Sequence, residues 1–425
     1  MLDIENDNVR QHLLEGNFGL ERESLRVTGD GGFAHSAHPF EDDDHIVKDF
    51  CENQTEINTG VCKSAAAAVA ELEGHLVRIY KALDERQPKE YLWQFSNPPH
   101  IKGEEDIPVA HFGGKRSFKS DYRKYLSDKY GRYKMTFCGI HVNFSFASEL
   151  IRAGSQAARW QGSLREYADT LYLHTARGLS AAGWVLTAAT AASPVLDASF
   201  LQKDDTGDAF CGMASVRCSE CGYWNDFAPV FDYTSIESYA QSIRGFVQSG
   251  LLKAPSELYY PIRLKPAGEN NLDSLLRGGI NRVELRMFDL NPLTTSGVDE
   301  RDVRFAQLLI LWVASSPPRS FTESEQVNAI HNFKNAAHFD LGTVRMMTPD
   351  GANHTLQEAA VMMIGEMKSF FREHGIEGVQ DVLDFELAKF TDGESRYCVK
   401  VRQLYGERFA QKALELSKKR QGQYV

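Results

Sequence analysis

Three strand-like stretches carry chemically competent side chains two residues apart. They are Glu21 and Glu23 in Phe18–Val27, His141 and Asn143 in Thr136–Phe146, and Glu284 and Arg286 in Arg282–Leu290. In an extended strand, residues i and i+2 share a face. Leu20 and Arg22 therefore turn away from the first pair, and Val283 and Leu285 from the third. Carboxylates, one imidazole and a guanidinium gathered on one surface would suit hard divalent cations and the oxyanions they escort. Taken singly, each pair reads more simply as the solvent face of a strand, and a lone histidine as a satisfied structural residue.

Other polar clusters are less telling. Asp49 and Glu56 are seven residues apart, which means one face of a helix but opposite faces of a regular strand. A shared site would require a bend or bulge between them. The run Asp42-Asp43-Asp44-His45, with His35 and His38 upstream, reads as a solvated loop rather than a metal site. Cys211, Cys218 and Cys221 form a CxxC preceded by a third cysteine. Without a second CxxC or a nearby histidine, they read as incidental thiols rather than a zinc site. Seven cysteines scattered over the chain predict reduced thiols, not a disulfide framework.

The elements that must position these residues follow from periodicity. Phe18–Val27, Thr136–Phe146, Leu258–Leu264 and Arg282–Leu290 are expected as strands. Ser64 followed by Val69, Leu72, Leu76, Ile79 and Leu83 predicts a capped helix. Leu356, Ala360, Ile364, Met367 and Phe371 predict another, stopped at Gly375, and Phe409, Ala413 and Leu416 a last one. The uncharged run between Arg177 and Asp197 is formally long enough to cross a bilayer, but Gly178, Gly183, Thr187 and Pro194 interrupt it. It reads as one buried helix, in which Asp197 has no evident role. Strands separated by helical insertions without a βαβ rhythm predict an α+β fold with an antiparallel sheet. No repeat or linker divides the chain, so residues 1–425 are expected as one catalytic domain, with 313–425 mainly helical.

Composition limits the partners. The chain has 425 residues, 42% hydrophobic and 25% charged, the proportions of a folded globular protein. With 47 basic and 58 acidic residues, its net charge of −11 disfavours nucleic acid and anionic membrane, leaving small molecules as the expected partners. Met1 to Asn8 carries Asp3, Glu5 and Asp7 and no basic n-region, so a cytoplasmic location is expected.

The ordered set of segments resembles the glutamate–cysteine ligase family, of bacterial type. The resemblance rests on Gly19-Leu-Glu-Arg-Glu-Ser-Leu-Arg-Val27, Asp49-Phe-Cys-Glu-Asn-Gln-Thr-Glu56, Gly139-Ile-His-Val-Asn-Phe-Ser145, Glu257-Leu-Tyr-Tyr-Pro-Ile-Arg263, and the segment from Leu276 to Pro292 that contains Arg282-Val-Glu-Leu-Arg-Met-Phe-Asp289. It extends from Gly19 to about Trp312. It implies a glutamine-synthetase-like fold, a curved antiparallel sheet forming a funnel with helices outside. It also implies an enzyme that phosphorylates the γ-carboxylate of L-glutamate with ATP and passes the acyl group to the amine of L-cysteine, the first step of glutathione biosynthesis. Nothing resembling a glutathione synthetase module follows, so the dipeptide is the expected product.

The same resemblance implies Glu21, Glu23, Asp49, Glu56, His141 and Glu284 as ligands of two to three Mg²⁺ or Mn²⁺ ions. Glu23 and Glu56 would hold one ion, while Glu21 and Glu284, helped by His141 and Asp49, bridge the others. Arg286 would meet the transferring phosphoryl group. Phe50, Tyr122, Leu126, Gly139, Arg217, Tyr223 and Tyr259 would surround the substrates, chiefly the small, soft cysteine side chain and its carboxylate. Five carboxylates in one funnel repel one another and ATP, and divalent ions reverse that sign. Three alternatives stay open: a ligase of the same mechanism with a different amine acceptor, a non-catalytic binding protein that keeps the metals, and a metal-dependent hydrolase.

Overall fold

The same-face pairs stand on neighbouring strands of one antiparallel sheet. A computed structural model describes residues 1–114, 117–201, 207–222, 224–348 and 354–425. Its strands are β1 (Gly16–Thr28), β2 (Ile46–Lys48), β3 (Gln54–Asn58), β4 (Glu90–Leu92), β5 (Gly139–Phe146), β6 (Leu196–Asp197), β7 (Asp208–Ala209), β8 (Ile262–Pro266) and β9 (Ile280–Asp289). The main sheet runs β2-β3-β1-β5-β9-β8, with β4 paired to the far end of β1. Strands β6 and β7 form a separate pair. The antiparallel α+β expectation holds.

Alternation sorts the two faces. Leu20, Val142, Leu285 and Ile262 lie in register across β1, β5, β9 and β8, and all are buried. Their face packs on helices, among them Ala65–Asp84 against β1 and Leu164–Ala182 against β8 and β9. The next row, Gly19, Asn143, Glu284 and Arg263, points to the opposite face. One hydrophobic cluster runs from Leu2 to Ala413, so the helices beyond Trp312 share the core that backs the sheet. Part of that junction is polar: Lys389 Nζ meets Asp302 at 2.6 Å and Glu386 at 2.8 Å, all three buried.

The expected helices form where their caps and apolar stripes require. Ser64 Oγ accepts the Ala67 N–H at the start of Ala65–Asp84, which buries Leu72, Leu76, Ile79 and Leu83 and leaves Val69 half-buried. Leu356–Glu373 opens on a Thr355/Glu358 capping box and buries all five expected residues. Phe409–Gln421 buries Phe409 and Ala413, and Leu416 is only partly buried.

Two expectations are corrected. The run from Arg177 to Asp197 is not one helix: Leu164–Ala182 ends at Gly183, Trp184–Thr190 follows, and the chain then enters β6. The join is made at Gly183, where a side chain would not fit: a Cβ there would stand 2.6 Å from the Leu179 carbonyl oxygen and 3.0 Å from the Phe333 ring. Asp197 gains a role: its Oδ1 accepts from the N–H (3.0 Å) and hydroxyl (2.5 Å) of Ser199 and faces His100 Nδ1 at 3.0 Å. The strand expected over Leu258–Leu264 starts only at Ile262: a 3₁₀ turn at Pro255–Glu257 leads into it, and the Tyr259 N–H donates to the Asn225 side-chain oxygen at 2.8 Å rather than to a neighbouring strand. Lys129 and Tyr130 hold the Glu257 carboxylate there. No helix among the described residues is long and apolar enough to cross a membrane.

Candidate active site

The acid-bearing face is built row by row. Glu21 pairs in register with His141, and Glu23 with Glu56. His141 Nδ1 lies 2.8 Å from Glu21 Oε2, and Asn143 Nδ2 donates to Glu21 Oε1 at 2.9 Å. Glu23 Oε2 accepts the Gly139 N–H at 3.0 Å. Glu21, His141 and Glu284 each offer a ligand atom within 4.8 Å of the others. His141 Nε2 is buried without a hydrogen-bond partner, 3.8 Å from Glu23 Oε1. An orphaned buried imidazole nitrogen aimed among carboxylates fits a cation.

Between Ile140 and Val142 the β5–β9 register shifts, so two β9 residues, Arg286 and Met287, stand opposite the single His141. This bulge re-aims Arg286. Its backbone is pinned from both sides: the N–H donates to the Pro261 carbonyl at 2.9 Å, and the carbonyl accepts from Arg217 Nη2 at 2.8 Å. Its Nη1 lies 3.4 Å from Glu284 Oε2.

Charge is divided across the sheet. At β8 and β9, Glu284 meets Lys265 at 3.1 Å, Arg286 at 3.4 Å and Arg263 at 3.9 Å. Although burial opposes ionisation, those cations hold its carboxyl well below the usual range. At β1 and β3 the balance reverses: burial pushes Glu56 well above its usual range, reinforced by Asp49, Glu21 and Glu23. Burial likewise raises Glu23, with Asp49 adding to it. One side therefore demands cations, and the other presents them.

Asp49 and Glu56 share this face because their segment is a hairpin, not one strand. Strand β2 ends at Lys48, the chain turns, and Glu56 returns on β3 opposite Val47. Asp49 sits beside Glu23 and Glu56 electrostatically, with Arg123 Nη2 3.8 Å from its carboxylate. Sequence reasoning did not single out Arg123, Arg263, Lys265 or Arg282 as site residues. Arg263 and Lys265 carried a readable signal, the same i, i+2 spacing used for the acids. Arg282 Nε donates to Asn143 Oδ1 at 3.0 Å, continuing the polar row.

The residues assigned to the substrates divide into groups. Arg217, Tyr259 and Arg286 line a mostly apolar cavity of about 60 Å³, with Trp224, Met287 and Phe333. The guanidinium of Arg217 lies over Gly139, where a Cβ would stand 2.3 Å from its Cζ. Phe50, Leu126 and Tyr122 do not line this cavity. Phe50 and Leu126 are buried in the core, and the Tyr122 hydroxyl accepts from Ser256 at 3.2 Å on the helix Ser117–Tyr130. Tyr223 lies outside the described residues. Cys218 is buried, with its thiol 3.3 Å from the Met287 carbonyl, whereas Cys211 and Cys221 are exposed.

Comparisons with known proteins identify the family. The family model described as glutamate–cysteine ligase matches residues 1–250 and 233–336. A glutathione biosynthesis bifunctional protein of Listeria innocua is 33% identical over 387 residues, covering 88% of this chain and 50% of the relative. The chain thus spans about half the length of such relatives. The crystal structure of a bifunctional glutathione synthetase from Pasteurella multocida matches with a TM-score of 0.85 and 25% identity, over 99% of this chain and 54% of that one. That of a glutamate–cysteine ligase from Francisella tularensis in complex with AMP gives 0.83 and 22%, over 96% and 89%, a likeness of fold.

Proposed function

Because the chain belongs to the glutamate–cysteine ligase family, we propose that it joins the γ-carboxylate of L-glutamate to the amine of L-cysteine with ATP, forming γ-glutamylcysteine. The division of charge across one sheet face carries the reading. Glu21, Glu23, Asp49, Glu56, His141 and Glu284 would hold two to three Mg²⁺ or Mn²⁺ ions, and their oxygen-rich, single-imidazole chemistry fits such ions better than zinc. Those ions, when bound, supply the positive charge that admits ATP phosphate oxygens beside the carboxylates.

The chain's own groups account for the rest. Arg286, at the bulge and anchored through its backbone, would meet the phosphoryl group as it passes from ATP to the γ-carboxylate, releasing ADP. Lys265 and Arg263 neutralise Glu284, so it stays ionised without repelling the incoming anions. The amine then attacks the acyl phosphate, forming the amide and releasing phosphate, while the ammonium proton passes to solvent. The small apolar cavity beside Arg217 suits a thiomethyl side chain next to a carboxylate-binding guanidinium.

Phosphate release with ATP, glutamate and a panel of amines tests this reading. L-cysteine should be preferred, with 2-aminobutyrate weaker because it keeps the shape and lacks the thiol. Preference for a long or charged amine, or phosphate release indifferent to the amine, would overturn the acceptor assignment.

A further inference from the structure

A second group of metal-ligating side chains lies behind the β2–β3 edge, built from residues the ligase reading does not use. His45 directly precedes β2, while Glu71 and His75 are four apart on the helix Ala65–Asp84 and share one face of it. Each offers a ligand atom within 4.8 Å of the other two. The imidazoles of His45 and His75 stack with centroids 4.9 Å apart. His45 Nδ1 lies 2.8 Å from the Asn58 carbonyl oxygen, which accepts its N–H and leaves Nε2 as the ring's lone-pair nitrogen. That is the arrangement by which a backbone carbonyl orients a metal-binding histidine. His75 Nε2 is buried without a hydrogen-bond partner, 3.6 Å from Glu71 Oε1. Glu71 is itself fixed, its two oxygens accepting the Gly60 N–H at 2.7 Å and the Cys62 thiol at 3.1 Å.

We propose that His45, Glu71 and His75 form a second metal site, for a borderline divalent ion such as Zn²⁺, which ties the β2–β3 edge to the helix beneath it. Two imidazoles and one carboxylate favour zinc, cobalt or nickel over Mg²⁺, whereas the oxygen-rich sheet face favours the reverse. Arg78 is the group that must yield, since its Nη1 now lies 3.1 Å from His75 Nδ1; Asp43 already holds its other nitrogen. Ligation at Nε2 moves the ring proton to Nδ1 and turns Arg78 fully toward that carboxylate.

The test is a Co²⁺ titration of the metal-stripped full chain in saturating Mg²⁺, which occupies the oxygen-rich face. Uptake is read from the visible bands of nitrogen-ligated cobalt and from metal content after desalting. We expect one equivalent, displaced by Zn²⁺. His75→Ala and His45→Asn, on separate elements, should each weaken it by about 100-fold or more, since even outer-sphere changes cost about 10–100-fold. No uptake by the wild type in excess Mg²⁺, or undiminished uptake in either folded variant, would overturn the site. Neither readout depends on turnover, so failure here leaves the ligase reading intact.

Discussion

The Arg217 guanidinium rests on Gly139 so closely that a methyl group there would overlap it, at 2.3 Å from Cζ. Arg217 is only 8% exposed, so it cannot swing aside into solvent. Gly139→Ala should therefore displace the guanidinium from the acceptor cavity while preserving the N–H donated to Glu23. The KM for cysteine should rise about tenfold or more, with the KM for ATP little changed, because the loss falls on acceptor binding. Steady-state kinetics with each substrate varied in turn decide it. An equal rise for all three substrates would mean that the glycine serves the sheet rather than Arg217.

Glu56 predicts how the metal-free protein responds to pH. Its folded pKa is raised, chiefly by burial and then by Asp49. Above the ordinary carboxyl pKa of about 4.3 the unfolded chain has lost this proton while the folded chain keeps it, so stability falls as pH rises through that window. In chelator at neutral pH, Glu56→Gln should melt higher than wild type, with the difference vanishing near the ordinary pKa. Mg²⁺ should reverse the order: at 100 times its Kd it stabilises the wild type by about 2.7 kcal/mol, and the variant by less. Melting curves with and without Mg²⁺ check both signs. A variant that melts lower in chelator would show that Glu56 is ionised and paired.

The sheet face was legible in the sequence because strand geometry has a period of two. Glu21/Glu23, His141/Asn143 and Glu284/Arg286 needed only that rule to be placed on common faces. What periodicity could not supply was connection. It left open whether Asp49 and Glu56 share a face, because the intervening turn carries no Gly-Asn or Gly-Asp signal, only Phe50-Cys51-Glu52-Asn53. The bulge at Arg286 was invisible for a similar reason: an inserted residue changes register without changing composition. His45 is a loop residue, as read, but its nearness to Glu71 and His75 was not legible, because two strands, β2 and β3, separate it in sequence from their helix. The helix beginning at Leu356 was read in full, since its cap, stripe and stop are all local.

His174 sets a second pH dependence with the opposite sign. Burial is the main cause lowering its pKa to about 4, followed by the N-terminal amine, and its Nε2–H donates to the Val313 carbonyl at 3.0 Å. Between about 6.5, the ordinary imidazole pKa, and about 4, the unfolded chain takes up a proton that the folded chain refuses. Stability is therefore present above the upper value and lost as pH falls through the window. His174→Gln keeps a donor and does not titrate, so its denaturation midpoint should fall less than that of wild type across the same range. Parallel losses in the two proteins would place the acid sensitivity elsewhere.

Arg286 separates catalysis from stability. Its backbone is fixed by Pro261 and Arg217, whatever its side chain does, so substitutions there should leave the bulge in place. If the guanidinium acts mainly on the charge that spreads over the phosphoryl group during transfer, its loss lowers kcat more than it raises the KM for ATP. Removing one such donor typically costs on the order of 10²–10³ in rate, or about 3–4 kcal/mol. Arg286→Lys should recover only part of this, because it keeps the charge without the planar fork that engages two oxygens. The competing role is neutralising Glu284, 3.4 Å away, but Lys265 lies closer at 3.1 Å and Arg263 contributes at 3.9 Å. A neutralising role thus predicts a lowered melting temperature with kcat nearly intact. Steady-state kinetics and melting curves on Arg286→Lys and Arg286→Ala distinguish the two, and near-wild-type kcat in both variants would remove Arg286 from the phosphoryl-transfer step.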